Sequence, residues 1–383
     1  MRKIYFDNAA STEVADEVYE EMVPYINDFY GNPSSVHEFG KPLKVIIEDS
    51  RDVIADFLKV KSKEIFFTSG GTESNNFSIK GLAFRYLGTD KKHIITSSIE
   101  HPSVFDTVTY LNEKFGFEVT VVKPDSKGRI TKENVLQSIR SETFLISVMH
   151  SNNETGVINE IKEISDNINH DNIKLHSDTV QSIGKTNFVP GELNIDFATL
   201  SAHKIYGPKG IGILYIKDGV KIDKYIHGGG QERNMRGGTE NVTGIVGLKK
   251  AVELLRTGMQ NDIKHYSGLT KYLREQLIIQ FGDVIMFNSQ EEQGLPNILN
   301  FSFDTKKIKI AEDMLLIQLD MKGIITSGGS ACSSGSLKPS RILLELGRDA
   351  KTAMASLRIS FGRKNTEEEI DILIDTLKGI IKT

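Results

Sequence analysis

Between residues 41 and 216 stretches of helical period alternate with short apolar runs, which is the pattern of βα units around a mostly parallel sheet. Leu43, Ile46, Ile47, Ile54, Phe57 and Leu58 recur at helical spacing, and EIFF (64–67) then reads as a short buried strand. Apolar runs follow at HIIT (93–96), FEVTVV (117–122), FLISV (144–148), IKL (173–175), IDFATL (195–200) and IGILYI (211–216). Such runs suit strands buried on both faces and joined by crossovers.

Past residue 216 the character changes. A Gly-rich stretch, GGGQERNMRGGTENV (228–242), leads into a long helical region rich in Leu and Lys. NILNFSF (297–303) is a strand candidate, and Ile370, Leu373, Ile374, Leu377 and Ile381 share one face of a closing helix. At 383 residues the chain is long for one compact domain and short for three. We expect an α/β protein with a large domain over 15–260 and a smaller α+β domain formed by 1–14 plus 261–383. There is no internal repeat or heptad seam.

Charge narrows the function. Lys and Arg number 47 against 51 Asp and Glu, a net −4 with no basic block, which gives no footprint for direct nucleic-acid binding or a membrane surface. No apolar run approaches the roughly 18 residues a membrane span needs, and MRKIYFDNAAS turns polar before a signal-peptide core could form. The expectation is a cytoplasmic protein acting on small molecules. One cysteine in the whole chain forbids an internal disulfide or a Cys-based zinc site, and no metal site is expected. A lone Cys is commonly a small buried hydrophobe. Cys332, however, sits in SGGSACSSGSLKPS (327–340), where only Ala331 and Leu337 could pack into a core, so the segment reads as an exposed loop.

Three short stretches carry chemistry. FFTSGGTESNN (66–76) runs from a strand through glycines into a helix, offering backbone N–H groups and a positive helix end to a phosphate. Taken alone, the segment reads first as a Gly turn with a Thr cap. It is neither a Walker loop nor a GxGxxG fingerprint, so a monophosphate fits better than a dinucleotide. In SAHKIYGPKGIG (201–212), Lys204 lies between apolar runs; most lysines are solvated, but a buried one loses its charge readily and suits covalent chemistry with a carbonyl cofactor. Asp178 ends a strand-like run, where it either faces a ligand or caps a helix. An Asp, a Lys and a phosphate cradle on one sheet are what pyridoxal phosphate (PLP) requires.

The chain resembles, over nearly its whole length, the cysteine desulfurases of the NifS/IscS type within the class V aminotransferase group of PLP enzymes. The matching stretches are YFDNAAST (5–12), YGNPSSVHEFGK (30–41), TSGGTESNN (68–76), EHPSV (100–104), NNETG (152–156), residues 178–181, SAHKIYGPKG (201–210), GGGQER (228–233), RGGTEN (236–241), GSACSSGS (329–336) and LRISFGR (357–363). The resemblance implies the PLP-dependent transferase fold type I, with a mostly parallel seven-stranded sheet flanked by helices. It implies that Lys204 carries the cofactor, that Asp178 pairs with its pyridine nitrogen, and that Gln181 reaches the ring hydroxyl. His101 would stack on the ring, although a His before Pro102 also suits a helix cap. Gly71, Thr72, Ser201 and His203 would bind the phosphate, with Thr239 from the second subunit of a homodimer. Asn153 and Arg358 would grip the substrate carboxylate; Arg358 also reads as a surface charge beside Arg363, but a strand would point it away from Leu357 and Ile359.

An electron sink with a lysine base serves transamination, decarboxylation or elimination alike, so Cys332 decides the reaction. By the resemblance its thiolate attacks the sulfur of L-cysteine, alanine leaves, and a persulfide passes to an acceptor, either an Fe–S scaffold or a tRNA-thiolation enzyme. Selenocysteine lyase or an aminotransferase of the same fold is the alternative, and a noncatalytic sulfur-trafficking protein is the rival from another class. Cys332 lies six positions past Thr326, a tether of at most roughly 20 Å. A thiol near pKa 8.5 is only a few per cent ionised at pH 7, and His101, Lys338 and Arg341 are the candidates to assist it.

Overall fold

In the computed structural model, which describes residues 3–328 and 338–381, the apolar runs become the strands of one large sheet. In chain order the strands are β1 (Ile4–Tyr5), β2 (Ile65–Thr68), β3 (His93–Ser97), β4 (Glu118–Val122), β5 (Thr143–Ser147), β6 (Lys174–Asp178), β7 (Phe197–Ser201), β8 (Gly212–Ile216), β9 (Ile285–Phe287), β10 (Ile298–Phe303), β11 (Ile324–Ile325) and β12 (Ser356–Ser360). The large sheet has seven strands in the order β2-β8-β7-β6-β5-β3-β4. Only β8 runs against the others, pairing antiparallel with both β2 and β7. This is the mostly parallel seven-stranded architecture expected from the sequence.

Consecutive residues of the central strands bury on opposite faces, as a period of two requires. Ile95, Ile146, Ala198 and Ile213 pack with Leu43, Ile47 and Ile54 on one side. Ile94, Leu145, Phe197 and Leu214 pack with Phe77, Leu82, Val104 and Val108 on the other. Both faces are therefore covered by helices, which explains why these strands read as unbroken apolar runs.

A separate core forms around β10, the middle of a three-stranded antiparallel sheet ordered β12-β10-β9. Leu299, Phe301 and Phe303 meet Leu357, Ile359, Leu373 and Leu377 there. The closing helix Glu367–Ile380 starts at a capping box in which Thr366 and Glu369 satisfy each other's backbone N–H groups. Ile4 and Phe6 join this core, because β1 pairs in parallel with β11. The helix Val242–Phe281 is 40 residues long, or about 60 Å. Its Val242, Ile245, Val246 and Leu255 pack in the first core, and Tyr266, Leu269, Leu273, Leu277 and Phe281 in the second. Residue 260 thus falls inside a single helix rather than a linker.

Apart from β8, the strands of the large sheet end on one edge, and the segments leaving that edge carry the chemistry-bearing residues. Cys332 lies outside the described residues.

Candidate functional site

Asp178 ends β6 with its carboxylate buried. Oδ1 accepts the N–H of Val180 at 3.0 Å, and Oδ2 accepts Asn75 Nδ2 at 2.7 Å. Asn75 lies on the helix Gly71–Arg85 and also donates to Ser103 Oγ at 2.8 Å. Its Oδ1 stands 3.2 Å from Nε2 of His176, whose Nδ1 lies 2.8 Å from Ser147 Oγ. Burial pushes His176 down to about 4, so the ring is neutral near pH 7. A line of polar side chains from β5 through β6 thus fixes the Asp178 carboxylate by hydrogen bonds.

Lys204 follows β7 on a single 3₁₀ turn, and its Nζ donates to the carbonyls of Ala9 at 2.6 Å and Ala10 at 2.7 Å. Gln181 Nε2 donates to the same Ala9 oxygen at 2.9 Å. The amine and the amide therefore converge on one carbonyl of the N-terminal segment. Burial, with Arg358 nearby, lowers Lys204 to about 8, while Asp7 and Asp178 pull the other way. At pH 7 about a tenth of the amine is then neutral and nucleophilic, against well under a thousandth for an ordinary lysine.

The phosphate candidates form a cradle at the start of the helix Gly71–Arg85. Gly70 precedes that helix at φ 148°, ψ −176°, a conformation essentially restricted to glycine, and no side chain caps it. The first N–H groups of the helix are accordingly left for an anion. A Cβ on Gly71 would stand 2.8 Å from Val180 Cγ2, so the backbone there must stay bare. Ser201 lies across the turn, its Oγ 3.7 Å from where a Gly70 Cβ would be. His203 Nδ1 lies 3.3 Å from Ser11 Oγ, and burial with Lys204, Lys209 and Lys185 around it lowers the ring to about 4. Thr239 lines a hollow with Ser69, Gly238 and Arg236.

His101 precedes the helix Pro102–Phe115 and caps it, Nδ1 accepting the N–H of Ser103 at 3.1 Å. In the neutral ring that bond leaves the proton on Nε2. Capping and a place beside Thr72 along one open groove hold together at this residue. Arg358 lies on β12 and is only 5% exposed, so the surface-charge alternative falls. It donates to Asp7 Oδ1 at 2.7 Å and to the backbone oxygen of Asn153 at 2.9 Å. Arg341 donates to the Glu100 carbonyl at 2.8 Å with its guanidinium over the Phe105 ring.

Gln181 Oε1 and Arg358 Nε are among the buried polar atoms that have no partner among the described residues. An amide acceptor, a guanidinium donor, a bare glycine cradle and a semi-neutral lysine are the groups that a phosphorylated pyridine aldehyde and an amino acid would occupy. The residues fit PLP.

Sequence reasoning missed Asp7, Asn75, Glu100, Glu154 and Lys185. Asn75 was within reach, since it lies one turn past Thr72 on the cradle helix. Burial raises Glu100 to about 8 and Glu154 to about 7. Lys185 is 6% exposed, donates to the Lys204 carbonyl at 3.2 Å and is lowered to about 7 by burial and by Lys204. Asp7, Glu100, Glu154 and Lys185 were hidden because exposed and buried charges look alike in sequence.

The profile of the family Aminotransferase class-V matches residues 4–373. Cysteine desulfurase IscS of Dictyoglomus turgidum is 43% identical over 381 residues, spanning 100% of this chain and 95% of the relative. The chain belongs to the class V aminotransferase family, in its cysteine desulfurase branch. Among solved structures, a NifS-like protein superposes with a TM-score of 0.91 at 38% identity, covering 99% of each chain. A structure of SspA in complex with cysteine gives a TM-score of 0.82 at 37% identity, over 94% of this chain and 99% of that one. Enzymes of the class V family are PLP enzymes. No helix among the described residues is long and apolar enough to cross a membrane.

Proposed function

We propose that the chain is a PLP-dependent cysteine desulfurase that converts L-cysteine to L-alanine and holds the released sulfur as a persulfide on Cys332. The observation that carries this is that Lys204 Nζ and the Nε2 of Gln181, three residues past Asp178, converge on the Ala9 carbonyl. PLP, when bound, supplies an electron sink that stabilises a carbanion at the substrate Cα. Lys204 Nζ holds the cofactor and then takes the Cα proton, a task suited to an amine titrating near neutrality. Asp178 holds the pyridine nitrogen protonated, and Gln181 Oε1 meets the ring hydroxyl. His101 presents its ring face to the cofactor. Gly71 and Thr72 N–H groups, Ser201 and neutral His203 receive the phosphate, with Thr239 from a second subunit. Arg358 grips the substrate carboxylate beside Asn153, its Nε being the donor still free of a partner among the described residues.

The Cys332 thiolate attacks the substrate sulfur. The S–S bond forms as the Cβ–S bond breaks, the electron pair and a proton end on the alanine skeleton, and no outside oxidant is needed. Cys332 lies outside the described residues, so this assignment rests on the resemblance. A homodimer is supported by Tyr19, Ile26, Phe29, Tyr30, Val36 and Phe39, large apolar side chains left exposed along one stretch of chain. The sulfur acceptor is a protein of Fe–S assembly or tRNA thiolation, and the compartment is the cytoplasm, in keeping with a single cysteine. The division into 15–260 and the remainder is supported by the two cores.

Alanine and sulfide are measured from cysteine with a thiol reductant present. Cys332→Ser is expected to lose sulfide release while keeping the absorbance of lysine-bound PLP. Full sulfide release by that variant would overturn the mechanism.

A further inference from the structure

The start of the cradle helix carries a charge that should repel a phosphate. Glu73, in its first turn, turns back so that Oε2 accepts the N–H of Ser69 at 2.9 Å. That bond shapes the entry to Gly70 and Gly71, but it sets a half-buried glutamate, its side chain 8% exposed, beside the anion site. Arg236 answers it with a two-pronged pair, Nε to Oε1 at 2.9 Å and Nη2 to Oε2 at 3.2 Å. The pair holds Glu73 below the usual carboxylate range although burial alone would raise it.

Arg236 reaches this place because the preceding stretch is pinned in an unusual shape. Glu232, Arg233 and Asn234 are three successive non-glycine residues at positive φ, of 45°, 54° and 66°. Such backbone costs energy and persists only when its surroundings over-determine it. Here the surroundings are a buried ion pair. Glu232 Oε2 accepts Arg51 Nη1 at 2.8 Å and the N–H of Phe67 at 2.8 Å, and Oε1 accepts Arg51 Nη2 at 2.9 Å. Arg233 donates to the Ile65 carbonyl at 2.6 Å. The stretch is thus fastened to β2, the strand that delivers the cradle.

We propose that Arg236 is a positioning residue for the phosphate: through Glu73 it shapes the Ser69–Gly71 turn and cancels the carboxylate charge that would otherwise weaken binding of a phosphorylated cofactor. This rests on the reading that the cradle receives the PLP phosphate. Its signature is selectivity, since the charge matters to a dianion and not to the unphosphorylated aldehyde, which still reacts with Lys204.

The test titrates PLP and pyridoxal separately into the full-length apo chain, following the absorbance of the lysine-bound aldehyde. Arg236→Met is expected to weaken PLP about tenfold, or about 1.4 kcal/mol, and pyridoxal by less than about twofold, since the uncancelled carboxylate repels a dianion and not the unphosphorylated aldehyde. Adding Glu73→Gln, whose amide oxygen still accepts from Ser69, is expected to recover most of the loss. Equal weakening of both aldehydes, or no recovery in the double variant, would overturn the proposal. Arg236→Lys keeps the charge and is expected to hold PLP within about threefold; a loss like that of Arg236→Met would also overturn it. A parent chain that binds PLP no better than pyridoxal would instead sink the reading of the cradle.

Discussion

Glu100 precedes His101 and is 1% exposed. Its Oε1 accepts Ser97 Oγ at 2.5 Å and the N–H of Met149 at 2.9 Å, while Oε2 has no partner among the described residues. Burial, only partly offset by those bonds, pushes the carboxyl up to about 8. An ordinary glutamate titrates near 4.3, so between these two values the folded chain holds a proton that the unfolded chain has released. A raised acid contributes stability that is complete below the unfolded pKa and is lost as pH rises to the folded one. At about 1.4 kcal/mol per pH unit, Glu100 costs the fold about 4 kcal/mol at pH 7 and about 5 kcal/mol from pH 8 upward. Glu100→Gln has no proton to take up, and its amide oxygen can keep both accepted bonds. Urea unfolding of parent and variant apo chains at pH 5, 6, 7 and 8 is expected to show the variant gaining about 4 kcal/mol on the parent across that range. Glu154, raised by the same cause, is present in both chains and cancels in the difference. Parallel stability curves would refute the argument, because they require Glu100 to be ionised in the folded chain at pH 5.

Arg358→Lys replaces a fork by a point charge and is expected to raise the KM for cysteine about tenfold or more, with a smaller change in kcat, in steady-state assays of alanine formation. Asn75→Leu leaves Asp178 Oδ2 without its 2.7 Å donor and is expected to cost about 1 to 3 kcal/mol in denaturant unfolding and to shift the pH dependence of the bound-cofactor absorbance.

The parts of this molecule legible in sequence are those whose cause is local. The strands of the large sheet announce themselves because both faces are buried, and Lys204 and Asp178 stand out because polar residues end apolar runs at the same sheet edge. The cradle is legible because Gly70 and Gly71 serve backbone requirements that no other residue meets. What escaped depends on partners far apart in the chain. Arg51 and Glu232 are 181 positions apart, and Arg236 and Glu73 are 163. Nothing in the spacing distinguishes such a buried pair from two solvated charges. The boundary near residue 260 shows the same limit, since helical periodicity continues through it while the face that is buried passes from one core to the other.

That passage bears on how the site works. Ile4 and Phe6 belong to the core around β10, yet the next few residues supply Asp7 to Arg358 and the Ala9 and Ala10 carbonyls to Lys204. Arg358 itself lies on β12 of the smaller sheet and reaches back to Asn153, beyond β5 of the large one. The Lys204 amine therefore follows a strand of the large sheet and is held by the turn that leaves β1. Its lowered pKa comes from burial and from Arg358, with Asp7 and Asp178 pulling the other way, so groups from both cores set it. On the proposed reading, in which Arg358 receives the substrate carboxylate and Lys204 moves the Cα proton, both groups lean on one short peptide, Asp7 to Ala10.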